Sequence, residues 1–313
     1  MNAVKRLLRA IDRWQQHNRV VGPAYAVVKK FGDDQANLLV VALGWYGFTA
    51  IYPLLLVVVT VFGYIGEASL GTGIVNTLRA FPVIGTQFKA GPGGSHLHGT
   101  AFGLVVGLGG LMYGAQGVTQ TAQQAMASVW NVPQYKMPGF LQRLGRSILG
   151  LAIIGGAFLS NALVGGIAAS SGQSIFLRVP LIAGMVIANV GFYYSAFWVL
   201  TPKAVPDRRF LPGAILAGLG FTVLTTLGTG LVQHQLRHAS DTYGAFASVI
   251  GVVTYLLLLA KLTVYAAELN PVLARRLWPR ALPTAPPTAA DDQVLRDRAH
   301  QEQRREDERI GVA

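Results

Sequence analysis

Apolar residues run along this chain in long unbroken stretches instead of alternating with polar ones. No Asp, Glu, Lys or Arg falls between Asp34 and Glu67, between Lys89 and Lys136, between Arg146 and Arg178, between Arg178 and Lys203, or between Arg209 and Arg237. The stretch from Asp241 to Lys261 is nearly as long. A helix that crosses a bilayer needs roughly 20 mostly apolar residues. Windows of this kind lie near residues 36–65, 101–122, 147–169, 179–200, 211–233 and 245–269. They predict an all-α integral membrane bundle of six transmembrane helices. Small residues are spaced as membrane helices use them to bring backbones together. Examples are Gly103, Gly107, Gly110 and Gly114 in the second window, Gly155–Gly156 and Gly165–Gly166 in the third, and Gly218–Gly220 in the fifth. Pro53 interrupts the first window and disfavours a bond to the Thr49 carbonyl, which predicts either a kink or a free carbonyl lining a polar cavity. Pro180 and Pro212 stand near window starts, where proline is tolerated.

The flanks differ from this pattern. In residues 1–31, Val4, Leu7, Leu8, Ile11 and Trp14 recur at helical spacing, with Lys5, Arg6, Arg9 and Arg13 on the other face. This predicts a basic amphipathic helix lying on an anionic inner leaflet, or else packed on the cytoplasmic loops. Ala24, Val27, Val28 and Phe31 repeat the pattern. No apolar run with a small-residue cleavage site follows the basic residues, so a secretory signal is not expected. Residues 32–278 form the membrane domain. Residues 279–313, rich first in Ala, Pro and Thr and then in charge, cannot bury a core and are expected to be a cytoplasmic tail that is disordered or a loose helix. Residues 66–100, the longest external loop, hold Gly91-Pro92-Gly93-Gly94 and no sign of a separate domain.

Charge then sets orientation. The net charge is +12, which taken alone suggests nucleic acid. With both termini in the cytoplasm, however, 21 of the 26 Lys and Arg residues fall on the inner side and 4 outside. That is the asymmetry of a multi-pass protein of the bacterial inner membrane. Anionic headgroups and other membrane lipids are the expected partners, and nucleic acid is not. The chain has no cysteine, which excludes disulfides and thiolate chemistry.

Candidate chemistry is sparse. His96 and His98 sit in the glycine-rich external loop without an acidic partner. His234, His238 and Asp241 share one helical face at the outer end of the fifth window, a weak metal candidate set against ordinary interfacial polar residues. No phosphate loop and no nucleophile turn occurs, so neither a cofactor nor an enzymatic activity is expected. The polar set inside the membrane is more informative. Gln116, Thr119, Gln120, Gln123 and Gln124 form a stripe at the inner end of the second window. Lys261 and Glu268 lie on one face of the last window, with Asn270 just beyond. A lone ammonium in hydrocarbon costs at least ~2.5–3.5 kcal/mol, so Lys261 must snorkel, pair or face water. One reading is an inward-facing polar cavity that joins Lys261 to the glutamine stripe; the other is snorkelling to the headgroups. Asn161 and Asn189 would extend such a path or make interhelical hydrogen bonds.

Several segments carry a resemblance. Residues 35–63, residues 130–146 (WNVPQYKMPGFLQRLGR), Phe210-Leu211-Pro212-Gly213-Ala214, Tyr243-Gly244 and Ala267-Glu268-Leu269-Asn270 stand in an order and spacing similar to the YihY/BrkB family of bacterial inner-membrane proteins. The resemblance spans about residues 25–275 and implies six helices and cytoplasmic termini. The family's former label, ribonuclease BN, is not carried over as an activity. Lys261 and Tyr265 depart from the family's pattern, so the resemblance assigns them no role. The leading expectation is a transporter or translocator of a small or lipid-like substrate. The alternative is a non-transporting scaffold for envelope proteins; a membrane-bound nuclease or hydrolase is disfavoured.

Overall fold

A computed structural model describes residues 3–65, 101–139, 141–150, 152–153, 156, 175–205, 209–225, 245–283, 285–308 and 310. All regular structure among these is helical. Two helices precede the first apolar run: α1, Ala3–His17, and α2, Val21–Asp33. The apolar runs then give α3, Ala36–Ile65, and α4, Ala101–Val129. A 3-10 turn, Gln134–Lys136, leads to α5, described over 141–150. Next come α6, Ile175–Leu200, α7, Leu211–Thr225, and α8, Ala245–Ala274. A last helix, α9, spans Ala289–Gln301.

Among the described residues, two helical stretches, Val179–Leu200 in α6 and Val249–Ala274 in α8, are long and apolar enough to cross a membrane, and Ala36–Ile51 and Leu211–Thr225 are shorter apolar segments. In the most apolar part of each, only 11% and 22% of the residues are buried. Core helices of a soluble protein would be mostly covered, so this apolar surface faces another apolar medium. Trp45, Val105, Met112, Ile187 and Leu258 are among the large side chains left outside.

Helix α3 packs mainly against α4 and α8. Gly114 makes the first contact possible: a Cβ there would stand 2.9 Å from the Ala50 Cα. The expected small-residue contact also holds at Gly218, where a Cβ would lie 2.7 Å from the Val190 backbone nitrogen. At Gly156 a Cβ would meet no described residue within 4 Å, while Gly155, Gly165 and Gly166 lie outside the described residues. Pro53 lies within the continuous helix α3. Pro180 falls inside α6.

The tail corrects an expectation. Residues 279–308 are not disordered where described. Thr288 caps α9 through a capping box with Asp291, whose backbone N–H donates to Thr288 Oγ1. Ala290 and Val294 are buried, and Val294 joins Ala26, Val27, Val272 and Leu277 in a second apolar cluster. Helices α1, α2 and α9 thus form an ordered layer at one end of the bundle. The composition of the tail suggested disorder or a loose helix because it offers little apolar surface to bury a core. In the fold several charges tie this end of the chain down: Asp291 pairs with Lys29 (2.8 Å) and Arg280 (2.5 Å), Arg280 also with Asp33 (2.7 Å), and Arg275 with Asp297 (3.2 Å).

In α1 the face turned to this layer is polar. Asp12 accepts from the Leu282 N–H at 2.9 Å, and Gln15 donates to the Arg280 carbonyl at 2.6 Å. Ile11 and Trp14 remain exposed. The Asn18 Oδ1 accepts from the Val20 and Val21 N–H groups where the chain enters α2.

Candidate functional site

Four residues of the predicted glutamine stripe line one cavity. It holds about 560 Å³ and is bounded by Gln116, Gln120, Gln123 and Gln124 of α4, by Met137, Pro138 and Gly139, by Arg143, Leu144 and Arg146 of α5, and by Leu200 and Pro202 after α6. Helix α4 explains the stripe: residues three and four apart share a face, so these glutamines stack along one side of its last turns. Gln120 and Gln124 are exposed in it, whereas Gln123 is buried and donates to the Arg143 carbonyl (3.3 Å) and to Ser147 Oγ (3.4 Å). Thr119 does not line it; its hydroxyl donates back to the Ala115 carbonyl at 2.8 Å.

The cations of the cavity are not the expected one. Lys261 is exposed on α8, outside the lining, and makes no polar contact with a described residue. The interior position expected for it is therefore corrected: α8 turns Ala260 and Val264 inward and leaves position 261 outward. Arg143 and Arg146 occupy that role instead. Their three-residue spacing on a helix beside the glutamine stripe was the signal available in the sequence.

Glu268 and Asn270 also leave the expected cavity. Asn270 Oδ1 accepts from the Gly213 N–H at 2.8 Å, satisfying a donor in the first turn of α7. Glu268 is fully buried and pairs with Lys30 of α2 at 3.0 Å. The same ammonium is bonded to Asp34 and donates to the Val129 carbonyl at 2.8 Å. Side-chain exposures within the trio are 0–1%, so two carboxylates share one buried cation. Burial disfavours the Lys30 ammonium, but the attraction of Glu268 and Asp34 outweighs it and holds its pKa above the ordinary lysine value. Sequence reading missed Lys30. Val27, Lys30, Phe31 and Asp34 stand at i, i+3, i+4 and i+7, so the inward face of α2 already contained a charge pair.

Trp130, Phe210 and Glu268, from three of the segments that carried the family resemblance, lie in or next to this trio; Tyr243-Gly244 lie outside the described residues. Trp130 is buried, edge-on to Phe210 at 5.9 Å, with the Arg275 guanidinium 5.6 Å above its ring. Asn131, at φ 49°, donates to Gln301 of α9 at 2.9 Å and to Asp34 at 3.5 Å. Asn189 donates to Thr222 Oγ1 at 3.0 Å, an interhelical bond between α6 and α7. His96, His98, Asn161, His234, His238 and Asp241 lie outside the described residues. No cluster of three His, Asp or Glu suited to a metal occurs among the described residues.

Comparison with known proteins agrees with the architecture. A family model described as virulence factor BrkB matches residues 27–291. The inner membrane protein YhjD of Escherichia coli (strain K12) is 22% identical over 278 residues, covering 80% of this chain and 81% of that protein. No solved structure matches. The match runs from α2 through the bundle to the start of α9, taking in the helices whose apolar faces the protein leaves uncovered, and the chain belongs to the BrkB family of membrane proteins.

Proposed function

We propose that this chain is a six-span inner-membrane protein, with both termini cytoplasmic, that moves a small or lipid-like substrate through an inward-facing polar cavity without a chemical step of its own. The cavity lined by Gln116, Gln120, Gln123 and Gln124 carries this reading. Polar side chains at the end of a long apolar helix are costly unless they face water or a ligand. The 21-to-4 distribution of Lys and Arg supports this orientation, in which the cavity and the α1–α2–α9 layer face the cytoplasm. Ile11 and Trp14 of α1 are exposed beside Arg13, a face suited to anionic headgroups.

The chain lacks cysteine, so a single Leu144→Cys gives one reporter thiol in the cavity wall. An impermeant neutral maleimide is expected to label it in inverted vesicles and not in right-side-out vesicles. Reporter fusions at 20, 140, 205 and 290 are expected to be cytoplasmic, and fusions at 85, 174 and 239 external. An unreactive thiol in both vesicle types would overturn the cavity, and an external fusion at 140 or 205 would overturn the six-span topology.

A second reading, a non-transporting scaffold for envelope proteins, is favoured by the ordered layer of α1, α2 and α9, which presents a defined surface for partners. Substrate flux in proteoliposomes that persists after deletion of residues 283–313 would count against it.

A further inference from the structure

The trio of Lys30, Asp34 and Glu268 takes no part in the cavity. With all three groups ionised it would carry one negative charge in a place closed to water. Such a charge is costly, and a buried acid commonly escapes the cost by taking up a proton. The two carboxyl groups are not equally provided for. Asp34 Oδ2 accepts from Lys30 Nζ, and Asp34 Oδ1 accepts from Asn131 Nδ2 at 3.5 Å. Lys30 directs its remaining hydrogen bond at the Val129 carbonyl, at 2.8 Å. Glu268 Oε2 stands 3.0 Å from Lys30 Nζ but outside the direction of a hydrogen bond. Neither Glu268 oxygen meets a hydrogen-bond donor among the described residues, although the side chain is fully buried.

The groups facing Glu268 come from several elements. Lys30 and Asp34 reach it from α2 and its C-terminal cap, and these are the charges that bear on it. The end of α4 brings the Val129 carbonyl and the segment after it the Asn131 amide. On its own helix, Tyr265 stacks on Phe31 at 4.0 Å. Other charges of this layer are engaged with one another: Arg275 with Asp297, Arg280 with Asp33 and Asp291, and Lys29 with Asp291. Since Asp34 and Glu268 stand against one ammonium, they are also neighbours, and two neighbouring carboxyl groups are best accommodated when they share a proton. The trio joins α2 to α8, and Asn131 links Asp34 on to Gln301 of α9 at 2.9 Å.

We infer that the trio is a proton-binding site that latches α2 to α8: one proton lies between the Glu268 and Asp34 carboxyl groups while the helices are packed, and it leaves to water when they part. With the proton in place the site is electrically neutral, and the Glu268 hydroxyl becomes a donor to Asp34. Without it, the remaining negative charge is relieved by admitting water, which moves α2 off α8. Once exposed, both carboxyl groups are ionised at neutral pH. The packed state therefore binds one proton more than the open state. Raising the pH favours opening, by at most about tenfold per pH unit. This inference is independent of the cavity and of transport.

The test uses the full chain in detergent. At neutral pH its infrared spectrum is expected to show the C=O stretch of a protonated carboxyl, shifted when the glutamate carboxyl carbons carry a heavy isotope and absent in Glu268→Gln. The isotope arm reads the unmodified protein and does not depend on how a variant folds. Absence of the band, or a band that neither labelling nor the substitution changes, overturns the site. Melting gives a second reading. Glutamine copies a neutral acid in shape and supplies a donor, so Glu268→Gln is expected to melt as the unmodified chain does at neutral pH. A loss as large as that of Lys30→Met would make Glu268 an ordinary ionised partner of Lys30 and overturn the proposal. Amide exchange across Val21–Asp33, corrected for the chemical rate, is expected to accelerate between about pH 6 and pH 9 in the unmodified chain and to stay level in Glu268→Gln. Exchange with the same pH dependence in both proteins overturns the latch.

Discussion

Asp291→Ala is the perturbation with the widest structural reach outside the bundle. The Asp291 carboxylate accepts from Lys29 Nζ (2.8 Å), Arg280 Nε (2.5 Å), and the backbone N–H groups of Ala281 and Thr288 (2.9 Å each). It therefore closes the capping box of α9 and ties α2 to the segment before α9. Its side chain is 10% exposed and that of Arg280 3%, so the pair is largely withdrawn from water. Removing one partner of a buried pair costs roughly 3–5 kcal/mol, and loss of an N-terminal cap about 1. Arg280 keeps Asp33 and Lys29 is 24% exposed, so the low end applies, about 3 kcal/mol in all. That corresponds to roughly a hundredfold larger open population of the α9 segment. Amide hydrogen exchange on the detergent-solubilised protein should show it as faster exchange across Ala289–Gln301, with the α3 and α8 amides unchanged. Acid should reproduce the effect in the unmodified chain. Burial pushes the Asp291 carboxyl up, but hydrogen bonds from Lys29 and Arg280, with those of Thr288 and Ala281, outweigh it and hold the group well below the usual carboxylate range. A carboxyl depressed on folding stabilises above its unfolded pKa of about 3.9, and that contribution is lost as the pH falls through the folded value. Undocking of α9 should thus begin below about pH 4 in the unmodified chain and show no such dependence in Asp291→Ala. Unchanged protection of α9 in the variant at neutral pH would refute the view that paired charges hold this tail.

Other consequences follow from the buried contacts. Lys30→Met leaves Asp34 and Glu268 facing each other without their cation and should destabilise the protein by roughly 3–5 kcal/mol, read as a lower melting temperature in detergent; adding Glu268→Gln should recover part of the loss. Gly213→Ala should also lower that temperature, because its Cβ would lie 2.5 Å from Asn270 Nδ2 and crowd the bond that anchors α7 to α8; an unchanged melting temperature would show that this contact yields freely. Lys261→Met should leave insertion and melting temperature unchanged, since the side chain is exposed and bonds to no described residue; a large loss of either would return Lys261 to the interior.

The sequence by itself determined where helices cross apolar surroundings. The run 36–65 became α3 with those bounds, and the runs near 101, 179, 211 and 245 became parts of α4, α6, α7 and α8. Hydropathy over about twenty residues is a local property, and its cost in lipid is paid residue by residue, so no partner need be known. The glutamine stripe was legible for the same reason: helical spacing alone puts Gln116, Gln120, Gln123 and Gln124 on one face. What faces that stripe was not local. Sequence reading named Lys261 as the cation there, and only the rotation of α8 and the placing of α5 decided that Arg143 and Arg146 line the cavity instead. The tail shows the same division. Thr288 and Asp291 stand at the spacing of a capping box, a local signal that the sequence reading did not use; a composition poor in apolar residues pointed instead to disorder or a loose helix. Asp291 is ordered since Lys29 and Arg280 converge on it from separate parts of the chain, as Asp34 and Glu268 converge on Lys30. Burying a charge is favourable only when its counter-charge is already held in place, and that is a property of the packed fold and not of any segment.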